Sequence, residues 1–205
     1  MATSAVTRHA TLAGRVAVAA MLAGFMGTAS CSRGRSGTVD TQRGRRGATG
    51  PHRISDDGLR RIREAEAFVE RVYDDGVGNK TIGYGHMLEP GESFAKGMTE
   101  PKARDLLAAD VAHVVNPALD LVAVPLTQNQ VDALASFIYN VGPGNFIRSV
   151  LPALNAGNFD RATARMAEYV RGKNQRTGEL TELRGLQRRR QNEISLFQSL
   201  DAATS

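Results

Sequence analysis

The sequence predicts an α+β domain, mainly helical with one short β element, preceded by an export-like segment and a basic linker. Three observations carry this. Apolar residues recur at helical spacing through most of the chain from residue 54 onward. One glycine-rich stretch, Thr81-Ile-Gly-Tyr-Gly-His-Met-Leu88, breaks that pattern and reads as a bent strand. The first 53 residues show neither pattern. With 205 residues and 41% hydrophobic content, the chain can bury a sizeable core in one or two domains. A wholly disordered chain, a collagen-like repeat and a polytopic membrane protein are excluded.

The net charge of +5 is unevenly placed. Residues 1–53 hold eight arginines against one acid, Asp40, whereas residues 54–205 hold 18 basic and 20 acidic side chains. The basic balance thus belongs to an arm and is no ground for expecting nucleic acid as a partner. The lone cysteine, Cys31, excludes an intramolecular disulfide and argues against a cysteine zinc site. No metal and no cofactor are expected, and the protein is read as a monomer.

In chain order, Met1 to Arg15 is polar and basic, Val16 to Gly27 is a 12-residue apolar run, and Thr28-Ala29-Ser30 is small. This is the order of a secretory signal. The run is short against the ~20 apolar residues of a spanning helix. Residues 1–31 are therefore read as a signal peptide or weak signal-anchor that places the domain in the periplasm or cell envelope. Three fates fit: cleavage near Ala29 or Ser30, lipidation at Cys31, or an uncleaved anchor in the inner membrane that later slips free. Residues 32–53, rich in Arg and Gly, read as a flexible linker. The folded domain is placed at 54–200, with 201–205 as a tail.

Within the domain, Ser55 reads as a cap with Asp56 and Asp57 in the first turn of a helix reaching Tyr73. Its stripe runs Leu59, Ile62, position 66, Val69 and Tyr73, and position 66 is a glutamate. The turn Asp74 to Lys80 and the bent strand follow. Thr99 starts a helix with Pro101 in its first turn. Thr127-Gln-Asn-Gln130 is a capping box ahead of Val131, Leu134, Ala135 and Ile138. Gly142-Pro-Gly-Asn145 breaks that helix. Two more helices run from Phe146 to Leu154 and from Phe159 to Val170, and Leu186 to Leu200 closes the domain.

Glu66, with Asp75 nine residues on and Thr81 six further, is the constellation that carries chemistry. A carboxyl group on an apolar helix face loses hydration when charged, so its pKa is expected to rise, and a protonated carboxyl can act as a general acid. Asp75, in a polar turn, is expected to stay ionised. Two carboxyl groups pushed apart by their environments are the arrangement used for glycoside hydrolysis. Thr81 offers a hydroxyl that could position a water. The plainer alternative makes Glu66 an edge residue paired with Arg63 or Arg71. His86 reads as structural, in a hydrogen bond or ion pair between lobes, and Arg188-Arg-Arg190 as a solvated or salt-bridged helix face.

The run from Glu66 through Asp75 to Thr81-Ile-Gly-Tyr-Gly-His86 resembles the active-site region of the phage-type lysozymes, glycoside hydrolase family 24. The resemblance continues through Leu126-Thr-Gln-x-Gln130, Asn140-Val-Gly142, Asn145-Phe146-x-x-Ser149 and Gly185-Leu186-x-x-Arg189-Arg190-x-x-Glu193, covering roughly residues 54–198. It implies a lysozyme-like fold, with a small β-hairpin lobe and a larger helical lobe. It also implies an inverting muramidase that cuts the β-1,4 bond between N-acetylmuramic acid and N-acetylglucosamine in peptidoglycan and lyses bacterial cells. Glu66 is then the general acid, Asp75 activates the water, Thr81 helps hold it, and Tyr139 and Ser149 are sugar-contact candidates. The alternative is a lysozyme-fold protein that binds peptidoglycan without cutting it or cleaves it as a transglycosylase. The chain departs from the family at Ala67, where glycine is usual and the change reads as small. It also lacks the tryptophan common near Tyr169.

Overall fold

The structure, a computed structural model, describes residues 51–74, 78–173 and 178–199. Residues 1–50, with the export segment and most of the linker, lie outside the described residues, as does the 201–205 tail. Among the described residues no helix is long and apolar enough to cross a membrane. Arg53, assigned above to the linker, is tied to the domain. Its guanidinium pairs with Asp120 at 2.6 Å, and Gln128 Nε2 donates to its carbonyl at 3.0 Å.

Helix α1 (Asp56–Glu66) begins as expected, with Ser55 Oγ accepting the Gly58 N–H at 3.1 Å and Asp56 and Asp57 facing the positive helix end. Asp132 fixes this entry, accepting from the Ser55 N–H at 2.8 Å and from its hydroxyl at 2.5 Å. A Cβ at Gly58 would stand 2.6 Å from the Asp132 carboxylate and 2.5 Å from the Ile54 side chain. Since Asp132 is held by Ser55 and cannot retreat freely, Gly58→Ala is expected to cost about 1–3 kcal/mol, the range for overpacking. Urea unfolding of the two proteins checks this.

The helix does not reach Tyr73. It stops at Glu66, and Val69–Asp74 is strand β1, a correction to the sequence reading. Ala67, at φ 56° and ψ 151°, cannot continue a helix. The β-branched and aromatic residues after it suit a pleated surface. β1 pairs antiparallel with β2 (Lys80–Gly83), and β2 with β3 (His86–Met87), placing Thr81 opposite both Tyr73 and Met87. The bent strand is thus two strands joined by a turn in which Gly83 and Gly85 take positive φ, 66° and 91°, as glycine allows.

His86 joins this sheet to the next helix, α2 (Glu100–Asp110). Its ring nitrogens lie 2.9 Å from Asp110 Oδ1 and 2.9 Å from Glu92 Oε2. The hydrogen bond to Asp110 raises its pKa to about 9 against the opposing effect of burial, with Glu92 adding to the rise. A base whose pKa is raised by folding stabilises fully below its unfolded value, about 6.5, and loses that contribution as pH rises through about 9. Discounting for screening, the group contributes roughly 2 kcal/mol. The stability gap between the parent protein and His86→Gln should therefore be larger at pH 6 than at pH 10 in denaturant titrations.

α2 runs through a widened turn, Val111–Val115, into α3 (Asn116–Leu119), and α5 (Pro143–Asn145) runs through Phe146–Val150 into α6 (Leu151–Asn155). Each widened turn is followed by a proline, Pro117 or Pro152. The missing N–H and the bulk of that ring against the preceding turn account for the looser winding.

Helix α4 (Gln128–Val141) opens on the expected capping box and is buried at every residue from Val131 to Val141. Packed against it are α1 and the closing helix α8 (Arg184–Gln198), while α7 (Phe159–Ala167) lies against α6 and α8. Phe137, Ile138, Leu134, Phe146 and Leu154 have no exposed surface and form the centre of the core. A second hairpin, β4 (Arg171–Lys173) with β5 (Leu180–Glu182), adds to the single β element expected. The architecture is the expected mainly helical α+β one, a small strand lobe beside a larger helical lobe.

Candidate active site

Glu66 ends α1, and its Oε1 accepts from Arg189 Nη1 of α8 at 2.6 Å. Both side chains are 8% exposed. The partner is neither Arg63 nor Arg71, so the carboxylate does not stand on an apolar line but enters a buried polar cluster. Arg189 Nε also donates to Glu193 at 3.0 Å and Nη2 to the Ser136 carbonyl at 3.2 Å. Ser136 Oγ donates to Glu193 at 2.7 Å. Arg190 lies 4.8 Å over the Phe137 ring, donates to Asn140 Oδ1 at 2.7 Å, and faces the second Glu193 oxygen at 3.1 Å.

Arg189 and Arg190 are buried, and only Arg188 is exposed, which corrects the solvated part of the expectation for this face. Two guanidiniums and two carboxylates balance in charge, as buried ions must. Burial works against the Arg189 charge, but the Glu66 and Glu193 carboxylates outweigh it and hold its pKa above the ordinary value. Arg190 has weaker compensation, and burial pulls it down to about 10, still protonated at neutral pH.

Thr81 is 2% exposed, and its hydroxyl makes no hydrogen bond among the described residues. It is a buried hydroxyl whose donor and acceptor are both unused among the described residues. Asp75 lies outside the described residues.

Tyr139 is 1% exposed, and its hydroxyl donates to the Tyr84 carbonyl at 3.0 Å. It is a core residue tying α4 to the strand lobe, and that burial corrects its reading as a sugar contact. Ser149 is half-buried in the widened turn before α6. Its hydroxyl donates to the Asn145 carbonyl at 2.7 Å and lies 2.9 Å from the Tyr169 hydroxyl. Tyr169 packs edge-on against Phe137 at 5.4 Å between ring centres. Helix α4 therefore connects both parts, Ser136 supporting the Glu66 cluster and Tyr139 the turn that follows the strand carrying Thr81.

Ala67 follows Glu66 in a backbone region that is essentially reserved for glycine. The departure from the family's glycine is thus larger than it looked from the sequence. Relief of ~1–3 kcal/mol of strain, less ~0.4–1 kcal/mol for the freer unfolded glycine, predicts that Ala67→Gly stabilises the fold by about 1 kcal/mol. The midpoint of urea unfolding reads this directly.

A glutamate held by a buried arginine at the junction of a strand lobe and a helical lobe defines a candidate acid site of a lysozyme-fold glycoside hydrolase. The family model described as phage lysozyme matches residues 63–193. The chain belongs to the phage lysozyme family. It is 36% identical over 147 residues to the endolysin of Acyrthosiphon pisum secondary endosymbiont phage 1, covering 71% of this chain and 98% of that one. The SAR-endolysin of bacteriophage PS119 is 32% identical over 126 residues, 60% of this chain and 68% of the relative. Among solved structures, the muramidase domain of SpmX from Asticaccaulis excentricus aligns with a TM-score of 0.64 at 35% identity, covering 73% of this chain and 99% of that one.

Sequence reasoning missed the Arg189–Arg190–Glu193 support as part of the site. The signal was present, because Leu186, Arg190, Glu193 and Phe197 recur at steps of four, three and four on one face of α8.

Proposed function

We propose that this phage-type lysozyme cuts the glycan strand of peptidoglycan between N-acetylmuramic acid and N-acetylglucosamine, with Glu66 as general acid. The observation that carries this is the Glu66 carboxyl at the end of α1, fixed by Arg189 at 2.6 Å in a water-poor cluster. Glu193, 3.0 Å from the same guanidinium, helps Glu66 to hold Arg189 in place. Asp75 activates the attacking water from the opposite face of the sugar, Thr81 holds that water, and the product inverts. Ser149 contacts the sugar through the hydroxyl it shares with Tyr169. The N-terminal apolar segment delivers the domain to the periplasm and tethers it to the inner membrane until release. The order of residues 1–31 and the SAR-endolysin relatives support this localisation.

Clearing of purified sacculi by the full chain tests the activity, and loss of turbidity with new reducing ends is the result expected. Unchanged turbidity and no new ends would overturn it. Mass analysis of the N-terminus from membrane and soluble fractions tests the tether. An intact Met1 in membranes is expected, whereas a new start near Cys31 in both fractions would replace the tether by cleavage.

A further inference from the structure

We infer that the exposed apolar face of the helical run from α2 into α3, at Val114, Pro117 and Leu121, rests on the surface of an anionic phospholipid bilayer. This rests on the tether proposed above and adds to it which face of the domain meets the lipid.

From α2 through the widened turn Val111–Val115 into α3 the chain is one continuous helical run. Val111, Val115, Ala118 and Leu119 turn inward and are buried. Val114, Pro117 and Leu121, at steps of three and four, form the outer stripe, with Val114 38% and Leu121 48% exposed. Asn155 holds the turn that follows, donating to the Leu121 carbonyl at 3.0 Å and accepting the Ala123 N–H at 2.8 Å. Ala123 and Pro125, both exposed, continue the patch along the chain. The other exposed large hydrophobics among the described residues, Met87, Ile147 and Leu180, stand on three separate elements. Scattered apolar side chains are normal on a surface, whereas a contiguous group points to a contact. From Val111 to Leu126 only Asp120 carries a full charge, in a chain that is 23% charged, and Arg53 neutralises it at 2.6 Å. His113 is the one other titratable side chain in that stretch.

The N-terminal arm joins the domain at this face, because Arg53 pairs with the residue next to Leu121. Residues 32–52 hold five more arginines against Asp40, and the apolar run Val16 to Gly27 lies before them. Residues 54–205, by contrast, carry −2. An anionic surface therefore attracts the arm's side of the molecule and repels the rest, which turns the Leu121 face toward the lipid. Read as a Gly- and Arg-rich linker, residues 32–52 span roughly 25 Å on average, less than the roughly 40 Å width of a domain this size. With residues 16–27 in the bilayer, the domain is held within its own width of the surface. At that effective concentration a small apolar contact is enough to seat it.

The chain contains no tryptophan, so one introduced at Leu121 reports on this face alone. Full-length Leu121→Trp and Leu180→Trp proteins are compared in dilute solution and with vesicles of phosphatidylglycerol and phosphatidylethanolamine carrying brominated acyl chains. Both side chains are exposed, and Asn155 uses only the carbonyl of Leu121, so both variants should fold. On these vesicles the Leu121→Trp emission is expected to shift to the blue and fall about twofold, as for a side chain at the headgroup–acyl boundary, with Leu180→Trp unchanged. Equal quenching of the two proteins, or none, overturns the inference, as does the same quenching on brominated phosphatidylcholine vesicles. A blue shift without vesicles also overturns it. One that grows with protein concentration assigns the patch to a second copy, and one that does not assigns it to the chain's own apolar run. Carbonate extraction of the same vesicles reads the tether separately. A chain that washes off yet is quenched selectively at position 121 fails the tether and not the surface. A chain that stays with the lipid without selective quenching keeps the tether and loses the surface.

Discussion

The full-length Glu66→Gln protein is expected to clear peptidoglycan suspensions about 10³-fold more slowly than the parent, within the range for loss of a positioned general acid. Glutamine preserves shape and can still accept a hydrogen bond from Arg189, while Glu193 remains 3.0 Å from the same guanidinium. The variant should therefore fold, and its circular dichroism and elution volume should match the parent's. Equal clearing by the two proteins would remove Glu66 from the role of acid whatever its family position. Loss of fold would be seen in the spectrum and is separable from loss of chemistry.

The second large effect is on stability. Arg189→Met keeps length and apolar bulk but leaves Glu66 without its cation and leaves Glu193 with Arg190 alone. Breaking a buried pair by removing one partner costs about 3–5 kcal/mol, because the remaining charge has neither water nor counter-ion. For a domain near 150 residues this lowers Tm by roughly 10 °C or more. Calorimetry of the two proteins at neutral pH reads the shift. A change of less than a couple of degrees would mean that the cluster is wetter than its burial indicates. The double variant Arg189→Met/Glu66→Gln should recover part of the loss, since it removes the stranded charge while Glu193 stays paired with Arg190.

Much of this molecule was legible in the sequence, and the failures have physical causes. Caps were read well, because Ser55 and Thr127 satisfy helix N–H groups through local hydrogen bonds that do not depend on the rest of the fold. The switch from helix to strand after Glu66 was not legible. Val69 and Tyr73 fit a helical stripe by spacing and a strand by side-chain type, and the helix ends at Ala67, whose positive φ an alanine does not announce in the sequence. The β4–β5 hairpin escaped notice because Arg171-Gly-Lys173 and Leu180-Thr-Glu182 carry almost no apolar alternation.

The site was legible in residue type and less so in surroundings. Glu66 was singled out as a carboxylate in an apolar pattern, and its burial agrees, but its partner lies 123 residues away on α8. No local pattern reports such a contact. Arg190 and Glu193 fall on the core-facing stripe of that helix and were passed over because only apolar residues were counted there. Tyr139 shows the opposite error. A position inferred from resemblance to be near sugar lies in the core at 1% exposure, supporting the strand lobe from below.

The central claim is that this chain hydrolyses the glycan with Glu66 as acid and a water activated by Asp75. Mass spectrometry of muropeptides released from sacculi by the full chain tests it most directly. Hydrated reducing N-acetylmuramic acid ends, absent from the Glu66→Gln digest, are the predicted products. Anhydro ends would show cleavage without an activated water, and either those or an undigested sacculus would contradict the account.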